Sequence, residues 1–161
     1  MFLGFVVILL VVRANVRVIE QTQAYVVERL GTFHAVWKAG RLRFTIPLID
    51  RVVCIVPLGE QALDLSPSEP VVTKDGVTVQ IGMTVYFEVT DPEMYTYGVK
   101  DLGPAMEPFA GIALRNMAGE TEQDQMLPSY GAISAKVCAV LCKTADSWGV
   151  RVNRVELKSC T

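Results

Sequence analysis

The sequence predicts an α+β fold, mostly antiparallel β-sheet with two or three packed helices, behind an N-terminal apolar membrane segment. Three observations indicate it: strict alternation over residues 77–90, helical spacing of apolar residues after Asp91, and a leading run of twelve residues without a polar side chain. Of the 161 residues, 51% are apolar and 20% are charged. That composition excludes an intrinsically disordered protein.

The apolar run covers residues 1–12 (MFLGFVVILLVV) and ends at Arg13. As a helix it spans about 18 Å, whereas a hydrocarbon core is about 30 Å thick. We expect a membrane anchor of incomplete length at 1–12 and one folded domain over 13–161; a buried strand or helix is the alternative. Arg13 and Arg17 follow the run and no basic residue precedes it, so the positive-inside rule places the domain on the cytoplasmic side.

Strands are predicted over 16–19, 24–30, 42–48 and 52–56. Gly31 interrupts the second, so His34 is expected in an exposed turn. The third carries its apolar residues on one parity, and they could alternatively dip into the leaflet as a hairpin: Leu42, Phe44, Ile46 and Leu48. The continuous apolar run at 52–56 predicts a strand covered on both faces.

The longest predicted strand follows a turn at Lys74, Asp75 and Gly76, where glycine supplies positive φ. From Val77 to Thr90 seven apolar residues alternate with seven others. This alternation predicts one apolar face and one polar face turned to water or to a neighbouring subunit.

Three helices are predicted after this strand. Asp91 is placed to cap the first, with Pro92 at its first helical position. The second is expected over 104–119, ended by Gly119, with a stripe of Met106, Phe109, Ile112, Ala113 and Met117. The third is expected over 129–148 with a stripe of Ile133, Val137, Val140, Leu141 and Trp148.

Gly149 is expected to stop the third helix before a last strand over 150–157. The parity of apolar residues slips near Asn153 and Arg154, which predicts a β-bulge there. The sequence shows no internal repeat or linker that would divide the domain.

The four cysteines lack metal-site spacing. Cys138 and Cys142 would share a helix face but fall off its apolar stripe, so neither is expected at the centre of the core. Zinc needs four ligands, and the remaining candidates Cys54, Cys160 and His34 are scattered. We therefore expect buried or half-buried thiols, no metal and no cofactor.

No catalytic motif is found: neither a nucleophile elbow, nor a phosphate loop, nor a dinucleotide fingerprint, nor a zinc-protease helix. His34 is the single histidine, and a general base would need an orienting partner. The carboxylates at 120, 122 and 124 are expected on a solvated turn, and Arg115 in a structural ion pair. We expect no enzyme, no catalytic residue and, with a net charge of -2, no nucleic-acid partner.

Several stretches, taken in order, resemble the stomatin-like branch of the SPFH (band 7) superfamily, which includes stomatin, prohibitin, flotillin and HflK/HflC. They are YVVERLG at 25–31, LRFTIPLID at 42–50, VTKDGVTV at 72–79, VTDP at 89–92, LRN at 114–116, GE at 119–120, WGVRV at 148–152 and RVELK at 154–158. Pro128 and Gly131 depart from the family pattern and are expected to fray the start of the third helix.

The resemblance implies an SPFH/band 7-like domain behind a single N-terminal membrane anchor and before a coiled coil. It also implies homo-oligomers that organise membrane microdomains. The alternative function is a regulatory subunit that binds a membrane protease or channel. A hydrolase that uses His34 is a third hypothesis. Because the chain stops at Thr161, where the coiled coil would begin, we expect a fragment truncated at both ends with weakened self-association.

Overall fold

The computed structural model describes residues 16–17, 22–38, 43–44, 50–66 and 69–160. The described structure falls into two compact units, Met1–Gly59 and Glu60–Thr161. The expected membrane segment at 1–12 and most of the predicted strand at 42–48 lie outside the described residues, so these expectations and the domain boundaries stay predictions. Within the described ranges, no helix combines the length and the apolar character needed to cross a membrane.

The described residues of the first unit contain five strands: β1 (Val16–Arg17), β2 (Gln23–Arg29), β3 (Thr32–Trp37), β4 (Arg43–Phe44) and β5 (Asp50–Pro57). β1 pairs with β4, and an antiparallel sheet has the order β3-β2-β5. On one face of that sheet, buried Val27 and Trp37 pack with half-buried Tyr25, Ala35 and Val52.

Two expectations for this unit are wrong. Leu30 and Gly31 adopt positive φ and form a tight turn, so His34 lies on strand β3, exposed, and not in a turn. In β5 the burial alternates, with 43% of Val53 and 48% of Ile55 exposed. A run of apolar residues reports high β-propensity, but it does not determine whether a second layer covers the strand.

The second unit is organised around one long strand. Its strands are β6 (Gln61–Leu65), β7 (Val71–Val72), β8 (Thr78–Val89) and β9 (Val150–Cys160), and β8 pairs antiparallel with each of the others. The predicted turn is confirmed: Gly76 has φ +78° and donates its N–H to the carbonyl of Thr73 at 2.9 Å. The predicted bulge is also confirmed, since the β8–β9 register shifts opposite Asn153.

The predicted polar face of β8 is only partly exposed. Gly82 and Thr84 occupy even positions, yet both are buried. Thr84 lies between Asp64 of β6 and Glu156 of β9, and its hydroxyl donates to the Asp64 carboxylate at 2.5 Å. Long side chains on neighbouring strands therefore cover this position, which the sequence of β8 alone does not reveal.

Three helices follow β8: α1 (Pro92–Gly98), α2 (Leu102–Glu120) and α3 (Gln123–Ala145). The predicted cap is confirmed, since Asp91 Oδ1 accepts hydrogen bonds from the backbone of Glu93 and Met94 at 3.0 and 3.2 Å. α2 buries Met106, Ala110, Ala113, Leu114 and Ala118, whereas Phe109 and Ile112 of the predicted stripe are exposed. Gly119 lies inside the last turn, and the helix ends one residue later.

Helix α3 begins at Gln123, six residues before the predicted start, and runs through Pro128 and Gly131. The expected fraying is therefore wrong. A proline removes one N–H donor, and the exposed ring of Pro128 lies near the beginning of a helix whose later turns are held by buried Ile133, Val137 and Leu141.

Gly149 ends the 3₁₀ turn Asp146–Trp148 with φ +66° and leads into β9, as predicted. Its carbonyl accepts hydrogen bonds from the backbone N–H groups of Thr90 and Asp91 at 2.9 and 3.0 Å. Any Cβ at this position would lie 2.6 Å from the Asp91 carbonyl oxygen. This close approach joins the end of β8 to the start of β9.

Candidate interaction surfaces

The outward face of the β6-β8-β9 sheet carries a set of charged side chains that pair across strands. We call this surface the charged sheet face; it consists of Glu60, Asp64, Tyr86, Glu88, Arg151, Asn153, Arg154, Glu156 and Lys158. Arg151 Nη1 lies 3.3 Å from Glu88 Oε1, and Asn153 Nδ2 donates to Glu60 Oε1 at 3.0 Å. Opposite charges on adjacent strands stabilise a sheet modestly and set its register.

Asp64 is the centre of the best connected part of this face. Its Oδ1 accepts hydrogen bonds from Thr84 Oγ1 at 2.5 Å and from Lys158 Nζ at 3.0 Å. The Thr84 hydrogen bond, then the hydrogen bond and charge of Lys158, hold the pKa of Asp64 below its usual value. The hydrogen bond to Asp64 in turn raises the pKa of Lys158.

Tyr86 contacts two further charged side chains of this face, Arg154 and Glu156. The Arg154 guanidinium carbon lies 4.0 Å from the centroid of the Tyr86 ring, and the Tyr86 hydroxyl donates to Glu156 Oε2 at 3.2 Å. Each cation of the charged sheet face thus has a carboxylate or an aromatic partner on another strand of the sheet.

A second surface exposes aromatic and aliphatic side chains at the helical side of the same unit. We call it the apolar helix patch; it consists of exposed Tyr97, Phe109 and Ile112 and of half-buried Trp148. The rings of Phe109 and Trp148 meet edge to face with centroids 6.3 Å apart, and Gly98 of α1 lies against the Trp148 side chain. Tyr97, Phe109 and Ile112 are 50%, 39% and 54% exposed. Exposed large apolar side chains grouped in this way are typical of protein-contact surfaces.

Of the residues considered for catalysis, His34 belongs to the first unit and the others belong to the second. His34 is exposed on β3. Arg115 forms an ion pair with Glu69, as predicted. Glu122 lies 3.5 Å from Lys74 Nζ, whereas Glu120 and Asp124 are exposed. Across the described ranges, no three or more His, Cys, Asp or Glu side chains are arranged to hold a metal ion.

Cys138 and Cys142 meet on one face of α3. Their sulfur atoms are 3.9 Å apart, and the Cys142 thiol donates to the Val152 carbonyl at 3.4 Å. Both residues are half-buried, as predicted. Burial, followed by the hydrogen bond and charge of Cys142, raises the pKa of Cys138 to about 11.

Sequence reasoning missed the cross-strand pairs and the exposed position of Phe109 and Ile112. The sequence carried part of the signal for these pairs, because it places an acidic residue, Asp64, on one strand and charged residues, Glu156 and Lys158, on another. Their partners depend on register, however, and register is set by pairing between strands distant in sequence.

Comparison with known proteins places this chain in a family. The SPFH domain / Band 7 family matches residues 17–161. The chain is 38% identical to an uncharacterized protein of Mycobacterium tuberculosis (strain ATCC 25618 / H37Rv) over 160 residues, which is 98% of this chain and 42% of that protein. It is 33% identical to human stomatin-like protein 2, mitochondrial, over 140 residues, covering 87% of this chain and 39% of that protein.

A third relative is an uncharacterized protein of Methanothermobacter thermautotrophicus, 35% identical over 152 residues, covering 94% of this chain and 47% of that protein. The chain therefore spans less than half the length of each of these relatives. The family match extends over most of the chain, and it includes both structural units. The chain belongs to the SPFH domain / Band 7 family, in its stomatin-like branch.

Proposed function

We propose that the chain is the SPFH module of a membrane-anchored scaffold that oligomerises and organises membrane microdomains, with its domain on the cytoplasmic side and without enzymatic activity. The observation that carries the proposal is the SPFH match over 17–161 directly behind the apolar run at 1–12. The charged sheet face and the apolar helix patch support it, because a scaffold needs surfaces for neighbours and not a cleft for a substrate.

The membrane part of the proposal is tested with two variants of the full chain. Deletion of residues 1–12, and the double substitution Leu9→Asp and Leu10→Asp, should each abolish co-sedimentation with phospholipid vesicles. The full chain should stay bound in high salt, since insertion of apolar residues is not screened by ions. Val53→Asp, at an exposed apolar position of β5, is the matched control. Equal partitioning of all four proteins contradicts the anchor.

The scaffold part is tested by crosslinking in membranes. Adducts between copies of this chain support a scaffold, and we expect Ile112→Asp in the apolar helix patch to reduce them. The control is Val140→Asp, since Val140 is also exposed and apolar but lies on α3, outside the patch.

The second candidate function is a regulatory subunit of a membrane protease or channel, and the exposed aromatic rings of the apolar helix patch favour it. A stoichiometric protease or channel adduct that is lost in Ile112→Asp would support this function over the scaffold. Turnover of ester or peptide substrates that disappears in His34→Ala would contradict both.

A further inference from the structure

The two thiols of α3 form a pair whose geometry is set by the helix. Residues four apart on a helix lie one above the other, with Cβ atoms about 5–6 Å apart. Val137 and Leu141, which precede the two cysteines, are fully buried and hold this part of α3 against the unit's core. Cys138 and Cys142 therefore lie on the flank of the helix, half-buried, with sulfur atoms 3.9 Å apart.

The side of the pair away from solvent is defined by β9. α3 packs against β9, and the Cys142 thiol donates to the Val152 carbonyl of that strand at 3.4 Å. This hydrogen bond orients the Cys142 sulfur at the seam between helix and strand. The partial exposure of both cysteines leaves a path for a small ion.

The pair cannot close into a disulfide while the helix is intact. A disulfide requires Cβ atoms about 3.5–4.5 Å apart, which is shorter than the helical spacing of about 5–6 Å. Closing the bond would unwind a turn of α3 that carries fully buried Val137 and Leu141. The folded state therefore keeps two thiols side by side.

Two neighbouring sulfurs suit a soft metal ion. Metal–thiolate bonds are about 2.3 Å long for zinc, so an ion with bonds of that order reaches both sulfurs at a separation of 3.9 Å. A structural zinc ion would need four protein ligands, and the described residues bring no third His, Cys, Asp or Glu to the pair. Monovalent copper is selected by soft thiolate ligands, the only donor type that the pair offers.

We propose that Cys138 and Cys142 together bind one monovalent copper ion. On binding, two S–H bonds break, two Cu–S bonds form and two protons pass to solvent, so that no electron is transferred. The hydrogen bond from Cys142 to Val152 is given up in the same step. The site is independent of the proposed scaffold function, and the two are tested by different measurements.

The experiment is an anaerobic titration of the full chain with Cu(I) in competition with a chromophoric Cu(I) chelator. The host protein carries Cys54→Ser and Cys160→Ser, so that only the α3 thiols remain. We expect one ion per chain. Cys138→Ser and Cys142→Ser should each lower the affinity by more than the roughly 10–100-fold that loss of an outer-shell partner costs.

Four results would overturn the proposal: no competition with the chelator, equal affinity in the host and in Cys138→Ser, one ion shared between two chains on size-exclusion chromatography, or altered binding when Cys54 and Cys160 are restored. Thermal unfolding of every variant separates loss of a ligand from loss of the fold. Because Cys142 also holds the Val152 carbonyl, Cys138→Ser decides the outcome if Cys142→Ser is unfolded. Restoring Cys54 and Cys160 should leave the tight binding unchanged, and a change there would place the ion elsewhere.

Discussion

An added Cβ at Gly149 would meet backbone and side-chain atoms at under 3.0 Å, and we predict that Gly149→Ala is the most damaging of three glycine substitutions. Gly149 has φ +66°, a conformation that costs a residue with a Cβ about 1–2 kcal/mol. An added Cβ would also lie 2.6 Å from the Asp91 carbonyl oxygen and 2.9 Å from the Met94 Cβ. The backbone must shift to relieve these contacts.

That shift acts on the hydrogen bonds that Gly149 accepts. Its carbonyl receives the N–H groups of Thr90 and Asp91, and each such bond is worth about 1 kcal/mol net. Loss of both, added to the conformational cost, gives an expected decrease of about 3–4 kcal/mol in the free energy of unfolding.

Two other glycines are matched controls. Gly76 has φ +78° but no atom within 4 Å of an added Cβ, so Gly76→Ala should cost only the conformational term of about 1–2 kcal/mol. Gly119 lies in the last turn of α2 with open space around it, so Gly119→Ala should stabilise the unit by about 0.5–1 kcal/mol.

The assay is equilibrium urea unfolding followed by tryptophan fluorescence. The substitution Trp37→Phe in the first unit leaves Trp148, beside Gly149, as the reporter for the second unit. If Gly149→Ala is no more destabilising than Gly76→Ala, the close approach to Asp91 does not constrain the backbone and the reasoning fails.

Three further predictions concern charged and thiol groups. Arg29→Met should lower the free energy of unfolding of the first unit by more than Asp50→Asn does, because it leaves the Asp50 carboxylate, whose side chain is only 1% exposed, charged but without its guanidinium contact; Trp37 fluorescence during urea unfolding measures this, and equal effects would contradict it. The pKa of Asp64 is lowered in the folded state, so its contribution to stability is present above its usual pKa and is lost as the pH falls; Asp64→Asn should flatten the acid side of a plot of melting temperature against pH, and an unchanged curve would argue against the contact. With a pKa of about 11 in place of 9.0, Cys138 should react with iodoacetamide at pH 8 about 100-fold more slowly than a free thiol. Cys142→Ala should speed that reaction, since it removes the hydrogen bond and the charge of Cys142, which are two of the three causes of the raised pKa of Cys138, and leaves burial. Peptide mass spectrometry would measure both rates. A fast reaction in the unsubstituted chain would refute the raised pKa.

Local signals in the sequence predicted the elements whose causes are local. The cap at Asp91, the turn at Gly76 and the stop at Gly149 each depend on a side chain or a φ angle within a few residues, and the slip of apolar parity near Asn153 is likewise visible in the sequence of one strand. Hydrogen bonds and dihedral preferences of this kind act over one turn of chain, so they are visible without the rest of the molecule.

The errors arose where packing against a distant segment decides whether a residue is buried or a helix continues. Helical spacing placed Phe109 and Ile112 on the core face of α2, but both are exposed. Met106 and Ala113 of the same predicted stripe are buried, together with Ala110, Leu114 and Ala118. Pro128 predicted a frayed helix, yet packing of the following turns carries α3 through it. Propensity and periodicity are weak priors that tertiary packing overrides.

By itself, the sequence determined the α+β class, the ordered motifs of the stomatin-like SPFH branch, and the helical spacing that brings Cys138 and Cys142 to one face. Only the tertiary structure decided which strands are covered, that Thr84 is buried under Asp64, and that exposed Phe109 packs against half-buried Trp148. Alternation and capping are properties of neighbouring residues, whereas burial and cross-strand pairing depend on segments that folding brings together from far apart in the chain.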